Sequence, residues 1–260
     1  MNSAQVHTLA TRLIAARASQ QPLSTADCNA LQISTRAAAY AVQDEVWRST
    51  QGTLRPQAWK IGNSSDHAGP VRAAMPEIIL HGSRTSAAHF RLIGIECEIA
   101  VRFARPLRPR NEAYSREEVL AAVGSAHVAI EIVDTALADP AAAGPLMGLA
   151  DSMLHGSFVL GETIANWRAL DWSQLKAQSF IDDQCVAEKT GGHPHIDPLA
   201  LLPWWANAGA LDWGGVEAGD IITTGTWNGM HFARTPQTFE ARFSNAAGKT
   251  LGSARVSFAP

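Results

Sequence analysis

The stretch GIECEIAVRF, residues 94–103, places two glutamates inside a run that is otherwise typical of a buried β-strand. Successive side chains of a strand point to opposite faces, so Glu96 and Glu98 share one face and the apolar residues around them share the other. Neighbouring carboxylates repel each other, and burying either one without a partner is unfavourable. The pattern therefore requires a cation, a shared proton or open solvent. An exposed strand face with water or arginine beside the glutamates is the simpler alternative.

A second apolar run, HVAIEIVDT at 127–135, is also interrupted by one acid, Glu131. Three carboxylates on two apolar strands indicate a site for a hard cation. Oxygen ligands of this kind suit Mg²⁺ or Mn²⁺. The sequence therefore predicts that Glu96, Glu98 and Glu131 bind a divalent metal.

The composition favours a globular protein that acts on a small molecule. The chain has 260 residues, 46% hydrophobic and 17% charged, which is enough to bury a sizeable core in one main unit. A formal charge of −3 gives no basic footprint for nucleic acid. No segment approaches the ~18 uninterrupted apolar residues of a membrane span. The N-terminus lacks the apolar block of a signal peptide, and we expect a cytoplasmic protein.

Helices are predicted near the N-terminus, and short strands after it. Apolar periodicity predicts helices over 4–19 and about 34–49. From about residue 59 short apolar runs alternate with Gly and Pro, which favours a β-rich single unit behind a helical lead-in. A capping box at Ser115 and Glu118 predicts a helix to about 125. Asp197 predicts another, from Pro198 to about Ala208.

Two further segments carry polar groups that suit a site. Lys60 lies in WKIG (59–62) between apolar neighbours. An ammonium there would be held by the carboxylates or by a bound anion. The alternative is a lysine on an edge strand whose side chain extends to solvent. The segment AGDIITTGTWNG at 218–229 is predicted as a strand that ends in a Gly- and Thr-rich turn. The amides and hydroxyls of that turn could hold a substrate carboxylate, although a plain tight turn is the commoner use of such residues.

An ordered series of segments resembles the 2-keto-4-pentenoate hydratases, of the wider fumarylacetoacetate hydrolase superfamily. The series is AYAVQDEV (39–46), WKIG, GIECEIAV, AIEIVDT, ADSMLHGSFVLGE (150–162), HP at 193–194 and GDIITTGTWNG (219–229). The resemblance runs from about residue 39 to residue 230. It implies an α+β fold, a mixed β-sandwich roll preceded by helices. We expect a helical segment over 1–55 and one compact metal-binding catalytic β-roll over 56–260.

The resemblance also implies roles for individual residues. Glu96, Glu98 and Glu131 correspond to the ligands of a divalent metal, usually Mg²⁺. Lys60 corresponds to a lysine beside the substrate and is expected to act electrostatically or in proton transfer; Ile61 belongs to the same segment and is expected to contact substrate.

The remaining expected site residues follow from the same series. Gly225 and Thr226 are expected to orient the substrate carboxylate. Glu77 stands where the family often has an aspartate after a proline, and we expect a catalytic role for it. Asp151 keeps the acid of the family's Asp-Asn-x-Ser segment and is expected to contact substrate.

The activity implied is that of a lyase: addition of water to a 2-hydroxy-alka-2,4-dienoate, giving a 4-hydroxy-2-oxo acid, as in the lower steps of aromatic-ring breakdown. The metal would chelate the C1 carboxylate and C2 oxygen and stabilise negative charge there. The resemblance also implies a homo-oligomer. The alternatives are a decarboxylase of a 2-oxo-3-enedioate, a C–C hydrolase of an acylpyruvate, and a non-catalytic partner subunit of a pathway enzyme.

Three other features have simpler interpretations. The spacing of His193 and His195 around a proline favours a loop over a metal site. Trp204 and Trp205 are expected in helix packing or a subunit contact. His155 is an acid/base candidate from its position alone.

Overall fold

The N-terminal third of the chain begins with three helices. The computed structural model describes residues 1–52, 54–63 and 69–260. The helices are α1 (Ser3–Ser19), α2 (Thr25–Leu31) and α3 (Arg36–Gln51), and the side chains of Asn2, Ser24 and Thr35 cap them by accepting first-turn N–H groups. The predictions for α1 and α3 are confirmed to within two residues, whereas the short α2 was not predicted.

The strands occupy most of the remaining chain. Those in the described residues are β1 (Ala58–Gly62), β2 (Val71–Ala74), β3 (Ile78–Leu80), β4 (Arg84–Ser86), β5 (Gly94–Phe103), β6 (Val123–Val133), β7 (His155–Thr163), β8 (Lys176–Ile181), β9 (Gln184–Thr190), β10 (Ile221–Phe232), β11 (Gln237–Ser244) and β12 (Thr250–Ala259). Short helices lie between some of them: α4 (Arg116–Ala122), α5 (Pro140–Ala143), α6 (Pro145–Ala150) and α7 (Leu202–Trp204). The predicted boundary at residues 55 and 56 falls between α3 and β1.

Two mixed sheets pack face to face. One has the strand order β2-β1-β10-β5-β6-β7-β3, and the other has the order β4-β12-β11-β8-β9. The main core lies between them, where Ile95, Cys97 and Ile99 of β5 share one cluster with Phe239 and Phe243 of β11. Alternation explains this burial, because the odd-numbered residues of β5 face the second sheet. The predicted two-sheet α+β fold with a helical lead-in is confirmed.

The other face of the seven-stranded sheet carries the acids. Its small apolar cluster consists of Ala58, Met75, Ala100, Ala129, Phe158 and Ile221, with Leu160 packed against it. Glu96 and Glu98 lie on this face, opposite the main core. We call it the acid face. The fold therefore separates the side of the sheet that packs in the main core from a side on which charged groups meet small apolar ones.

The helix predicted after Asp197 begins later than expected. The Asp197 carboxylate accepts the N–H of Leu199 at 2.9 Å and pairs with Arg116 at 2.6 Å, but residues 198–201 are not helical. The helix starts at Leu202 with Pro203 in its first turn and continues as a wider π-type turn over Trp205–Gly209. Proline fits the first turn because its missing N–H would have no partner there, so Pro203 marks the start of the helix.

The turn predicted within 218–229 is also wrong. β10 runs through this segment to Phe232, and it bends by register shifts between Thr223 and Thr226 and between Thr226 and Met230. These irregularities are β-bulges, in which extra residues bend a strand without ending it. The Gly and Thr residues thus shape a strand in the middle of the sheet.

Candidate metal centre

The three glutamates converge at one place on the acid face. Glu96 of β5 lies directly opposite Glu131 of β6 in the antiparallel register, and Glu98 lies opposite Ala129. One oxygen from each of Glu96, Glu98 and Glu131 lies within 4.8 Å of the other two. Glu98 and Glu131 are buried, at 1% and 0% exposure. The strand pairing therefore turns two separate sequence motifs into one cluster of acidic oxygens.

Glu98 is held by the first bulge of β10. Its Oε2 accepts hydrogen bonds from the Thr223 hydroxyl and from the Gly225 N–H, the latter at 3.1 Å. Gly225 has a φ of 112°, a conformation that favours glycine. The bulge thus turns one backbone amide toward the acid face.

His193 supports this bulge from behind. Its Nε2 lies 2.9 Å from the carbonyl oxygen of Thr224, and its Nδ1 lies 3.2 Å from the backbone N of His195. A carbonyl oxygen only accepts, so Nε2 carries the hydrogen and Nδ1 accepts from His195. Burial lowers the pKa of His193, which agrees with a neutral ring. His193 therefore fixes the backbone beside the amide that holds Glu98.

Glu131 is bound by two nitrogen groups. Its Oε1 lies 2.5 Å from the Lys60 ammonium and 3.1 Å from His155 Nδ1. Lys60 also donates to the carbonyl of Met153 at 3.0 Å. The second oxygen, Oε2, is buried and has no hydrogen-bond partner among the described residues. Glu131 thus has one oxygen committed to the protein and one without a described partner.

Burial and mutual repulsion dominate the electrostatics of the cluster. Burial, followed by the charge of Glu131, raises the pKa of Glu96 to about 7. Burial and the charges of Glu131 and Glu96 raise the pKa of Glu98 to about 8. For Glu131 burial acts upward, but Lys60 and His155 outweigh it and lower the pKa. Burial acts to lower the pKa of Lys60, and the three carboxylates reverse this and raise it.

These groups fit a hard divalent cation. The donors are carboxylate oxygens, which Mg²⁺ and Mn²⁺ prefer, and Glu131 Oε2 is a buried acceptor without a partner. One lysine does not neutralise three carboxylates, so without a cation the raised pKa values keep Glu98 largely protonated and Glu96 partly protonated near neutral pH. The cluster therefore has both the ligand atoms and the electrostatic reason to bind a divalent metal.

The predicted substrate-contacting residues of β1 and β10 lie beside the cluster. Thr226 pairs with Glu98 in the strand register, and its hydroxyl donates to the Gly229 carbonyl at 3.2 Å. Gly225 presents its N–H to Glu98. The Ile61 side chain packs in the main core on the opposite face from Lys60, so a ligand on the acid face would meet only its backbone.

Glu77 and Asp151 lie farther from the glutamates. Glu77 is exposed in the loop before β3, and the next residue, Ile78, pairs with Phe158, which itself pairs with Glu131. Two strand spacings separate Ile78 from Glu131, about 10 Å. The Asp151 carboxylate is buried and accepts from Arg17 at 2.7 Å, from the Thr135 hydroxyl at 2.6 Å and from a backbone N–H.

Comparison with protein-family models identifies the family. The model of the fumarylacetoacetate (FAA) hydrolase C-terminal domain matches residues 71–256, which include all three glutamates. The chain belongs to this family. A comparison with curated protein sequences finds no match.

Solved structures share the fold of this family member. 4-Oxalocrotonate decarboxylase from Pseudomonas putida G7, complexed with magnesium and adipate, is 20% identical with a TM-score of 0.81, covering 99% of this chain and 98% of that one. The same enzyme complexed with calcium and acetate is 22% identical, with the same TM-score and coverage. A 2-hydroxyhepta-2,4-diene-1,7-dioate isomerase from Mycobacterium marinum is 15% identical with a TM-score of 0.57, covering 79% and 75%.

In this family member, every helix of the described residues is too short or too polar to span a bilayer.

Three residues that shape the site were missed or undervalued from the sequence. His155 was only an acid/base candidate, yet it contacts Glu131, and His193 was interpreted as a loop residue. Thr223 lies in the segment predicted as a strand that ends in a turn and was given no role, yet its hydroxyl donates to Glu98. Strand alternation gave a usable signal for Thr223. It pairs with Lys60 of β1, and both side chains lie on the acid face of the sheet.

Proposed function

We propose that this chain is a divalent-metal-dependent hydratase that adds water to a 2-hydroxy-alka-2,4-dienoate and produces a 4-hydroxy-2-oxo acid. One observation carries the proposal: three carboxylates and one lysine share a single buried cluster on the acid face. The ordered segments that resemble the 2-keto-4-pentenoate hydratases supply these same residues. A metal, Mg²⁺ or Mn²⁺, is part of the proposal, and Glu96, Glu98 and Glu131 would hold it.

Lys60 is the proposed electrostatic or proton-transfer group at the C1–C2 end of the substrate. Two of its three N–H bonds are directed to Glu131 and to the Met153 carbonyl, which leaves one for a substrate oxygen. The raised pKa keeps the amine protonated near neutral pH, so it can stabilise negative charge on an enolate oxygen.

The opposite wall of the proposed site is the bulged part of β10. The substrate carboxylate would lie near the Thr226 hydroxyl and the backbone around Gly225, where the sheet is bent and partly exposed. A bound divalent cation would supply Lewis-acid stabilisation of the C2 oxygen. Protonation at C5 then leaves C4 electrophilic, and water adds there. We also propose Glu77 as an acid near the distal end of the substrate, and a contact between the substrate and the backbone of Ile61.

Two methionine side chains lie beside the charged groups of the acid face. A Cβ at Gly94 would lie 2.8 Å from the Met230 sulfur, so that side chain extends over β5 beside Glu96. A Cβ at Gly62 would lie 3.2 Å from the Met153 methyl, which is therefore on the Lys60 side. Thioether side chains adapt to apolar groups, so these two fit the hydrocarbon part of a dienoate.

A decarboxylase of a 2-oxo-3-enedioate is the second candidate. The full-length fold similarity to two structures named 4-oxalocrotonate decarboxylase, including the helical lead-in, favours it. The same Lys60 and the same glutamates would serve either reaction, because both need an electron sink at C2. The distal group of the substrate is what separates them.

The test is incubation of the purified protein with Mg²⁺ and either 2-hydroxypenta-2,4-dienoate or 2-oxohex-3-enedioate. Loss of dienol absorbance with a product heavier by one water supports the hydratase. Release of carbon dioxide from the diacid, with no hydration of the monoacid, refutes the hydratase and supports the decarboxylase. Metal binding without turnover of either compound would favour the non-catalytic partner subunit. The Glu98→Gln variant and a chelator-treated sample are the controls for metal dependence.

Assembly is a separate proposal. We propose a homo-oligomer in the cytoplasm, on the basis of the family resemblance and the composition. Sedimentation velocity of the purified protein measures the subunit number, and a monomer at micromolar concentration would contradict the proposal.

A further inference from the structure

A left-handed turn lies between α6 and β7. Three consecutive residues, Ser152, Met153 and Leu154, have φ values of 53°, 56° and 59°. None of them is a glycine, and side chains with a Cβ adopt this conformation at a cost in conformational energy. Such a segment persists only where surrounding contacts hold it, so the contacts of this turn indicate what it is for.

The turn supplies two of the groups that hold the Lys60–Glu131 pair. The Met153 carbonyl accepts from the Lys60 ammonium at 3.0 Å. His155, immediately after the turn, lies 3.1 Å from Glu131 Oε1 through its Nδ1. The turn thus brings the Met153 carbonyl and the His155 imidazole, two residues apart, to the same ion pair.

An ion pair from the N-terminal helix holds the start of the turn. Arg17 of α1 donates to Asp151 Oδ1 from Nε at 3.1 Å and from Nη2 at 2.7 Å. The other oxygen, Oδ2, accepts from the Thr135 hydroxyl and the Ala136 N–H. Asp151 is 2% exposed, so an arginine that donates twice to one of its oxygens and two further donors on the other oxygen fix it firmly.

We infer that Arg17 and Asp151 are positioning residues for Lys60 and Glu131: their ion pair keeps the left-handed turn in the conformation that presents the Met153 carbonyl and His155. The inference concerns the same site as the proposed hydratase and rests on it for the kinetic readout. It assigns the helical lead-in a direct part in the geometry of the site, and it gives Asp151 a role through the turn instead of a substrate contact.

The kinetic test is a double-mutant cycle between Arg17→Ala and Lys60→Ala. If Arg17 acts through Lys60, Arg17→Ala alone lowers kcat by about 10- to 100-fold and changes KM less. In the double variant kcat is then almost the same as in Lys60→Ala alone. A purely structural role predicts additive losses in the double variant, and additivity overturns the inference. Asp151→Asn, which keeps the shape and one acceptor oxygen, serves as a second variant if Arg17→Ala folds poorly.

The matched control is Arg12→Ala. Arg12 lies on the same helix and forms an exposed ion pair with Asp27 at 2.5 Å, away from the turn. We expect it to leave kcat within about twofold, because exposed ion pairs contribute little. A loss equal to that of Arg17→Ala would show that the effect belongs to the helix as a whole and would contradict the inference.

Amide hydrogen exchange without substrate separates this inference from the proposed function. In Arg17→Ala the backbone amides of residues 152–156 should exchange at least about tenfold faster than in the unaltered protein, and in Arg12→Ala they should not. If protection is lost but neither dienoate nor diacid is converted by the unaltered protein, the hydratase proposal fails and the anchoring of the turn stands. If protection is unchanged, the inference fails whatever the activity.

Discussion

Glu96 and Glu131 are directly opposite residues on the antiparallel strands β5 and β6, and both side chains project from the acid face. Cross-strand neighbours have Cβ atoms about 4.5–5.5 Å apart, so two like charges at this position oppose strand pairing. The sheet tolerates them for two reasons. Lys60 and His155 bind one oxygen of Glu131, and the raised pKa of Glu96, about 7, keeps that carboxyl protonated at lower pH. A bound divalent cation would relieve the remaining repulsion.

Replacing Glu98 by glutamine should remove most metal binding and activity and leave the fold intact. The amide keeps the volume and still accepts from Thr223 and Gly225, but it loses the negative charge that a metal requires. We expect Mg²⁺ affinity to fall by at least about 100-fold, since even groups that only orient ligands are worth 10–100-fold. Calorimetric titration measures it, with the exposed Glu117→Gln as control. Unchanged affinity in Glu98→Gln refutes the ligand assignment.

Replacing Lys60 by alanine should lower turnover more than metal affinity. A group that stabilises charge in the transition state contributes about 10²–10⁴-fold in rate. The carboxylates remain, so Mg²⁺ still binds and compensates part of the charge that the lysine leaves. Steady-state kinetics and calorimetry on the same preparation check this. The comparison variant is Lys176→Ala, whose ion pair with Glu188 is on the second sheet. Full turnover in Lys60→Ala would exclude the proposed role.

The stability of the metal-free protein should fall as the pH rises from about 7 to 8.5. The pKa values of Glu96 and Glu98 are raised from 4.5 to about 7 and about 8. At these two carboxyls the folded state binds more protons than the unfolded chain, so the stability they contribute is present below the unfolded pKa and is lost as the pH rises through the folded pKa. The buried His127, His155 and His193, whose pKa values burial lowers, act in the opposite direction below about pH 6.5. Thermal melts across this range measure the slope, and Glu98→Gln should flatten it.

Metal affinity should rise over the same pH range. Mg²⁺ is expected to displace the protons on Glu96 and Glu98. For each proton that binding releases, the Mg²⁺ affinity rises about tenfold per pH unit. Calorimetry in buffers of different ionisation enthalpy counts the protons released. An affinity that does not change between pH 6 and 8 would mean that the metal does not displace these protons.

His193→Ala should weaken Mg²⁺ binding by about 10-fold, although His193 does not reach the acid face. The variant loses the hydrogen bond to the Thr224 carbonyl and leaves space behind Gly225, so the bulge that presents an amide to Glu98 is no longer fixed. His195→Ala is the matched control, because His195 takes part in this network only through its backbone N–H. Equal affinities in the two variants would show that His193 has no part in the site.

Much of the fold followed from local patterns. The odd and even faces of β5 were readable because strand alternation is strict, and α1, α3 and the capping box at Ser115 were readable because their signals lie within a few residues. The bulges of β10 were not readable, since Gly and Thr serve turns and bent strands alike. The start of α7 was missed because Asp197 caps a short turn and pairs with Arg116, 81 residues earlier in the chain.

The site itself was only partly predictable. The glutamates and Lys60 were identifiable as charges on apolar strands, but the register that places Glu96 opposite Glu131 depends on non-local pairing. The contact between Arg17 and Asp151 joins residues 134 positions apart, and nothing in either local sequence indicates it. The roles of Met153 and His155 depend on the left-handed conformation of residues 152–154, which residues other than glycine disfavour.

The contact between Lys60 and Glu131 crosses two intervening strands, β10 and β5, in the strand order. It therefore links β2 and β1, at one edge of the sheet, to the centre of the sheet. Separating these strands from the sheet breaks the ion pair, so a ligand bound by these two side chains makes local unfolding of the edge less favourable. Local unfolding of β1 and occupancy of the site are thus thermodynamically linked.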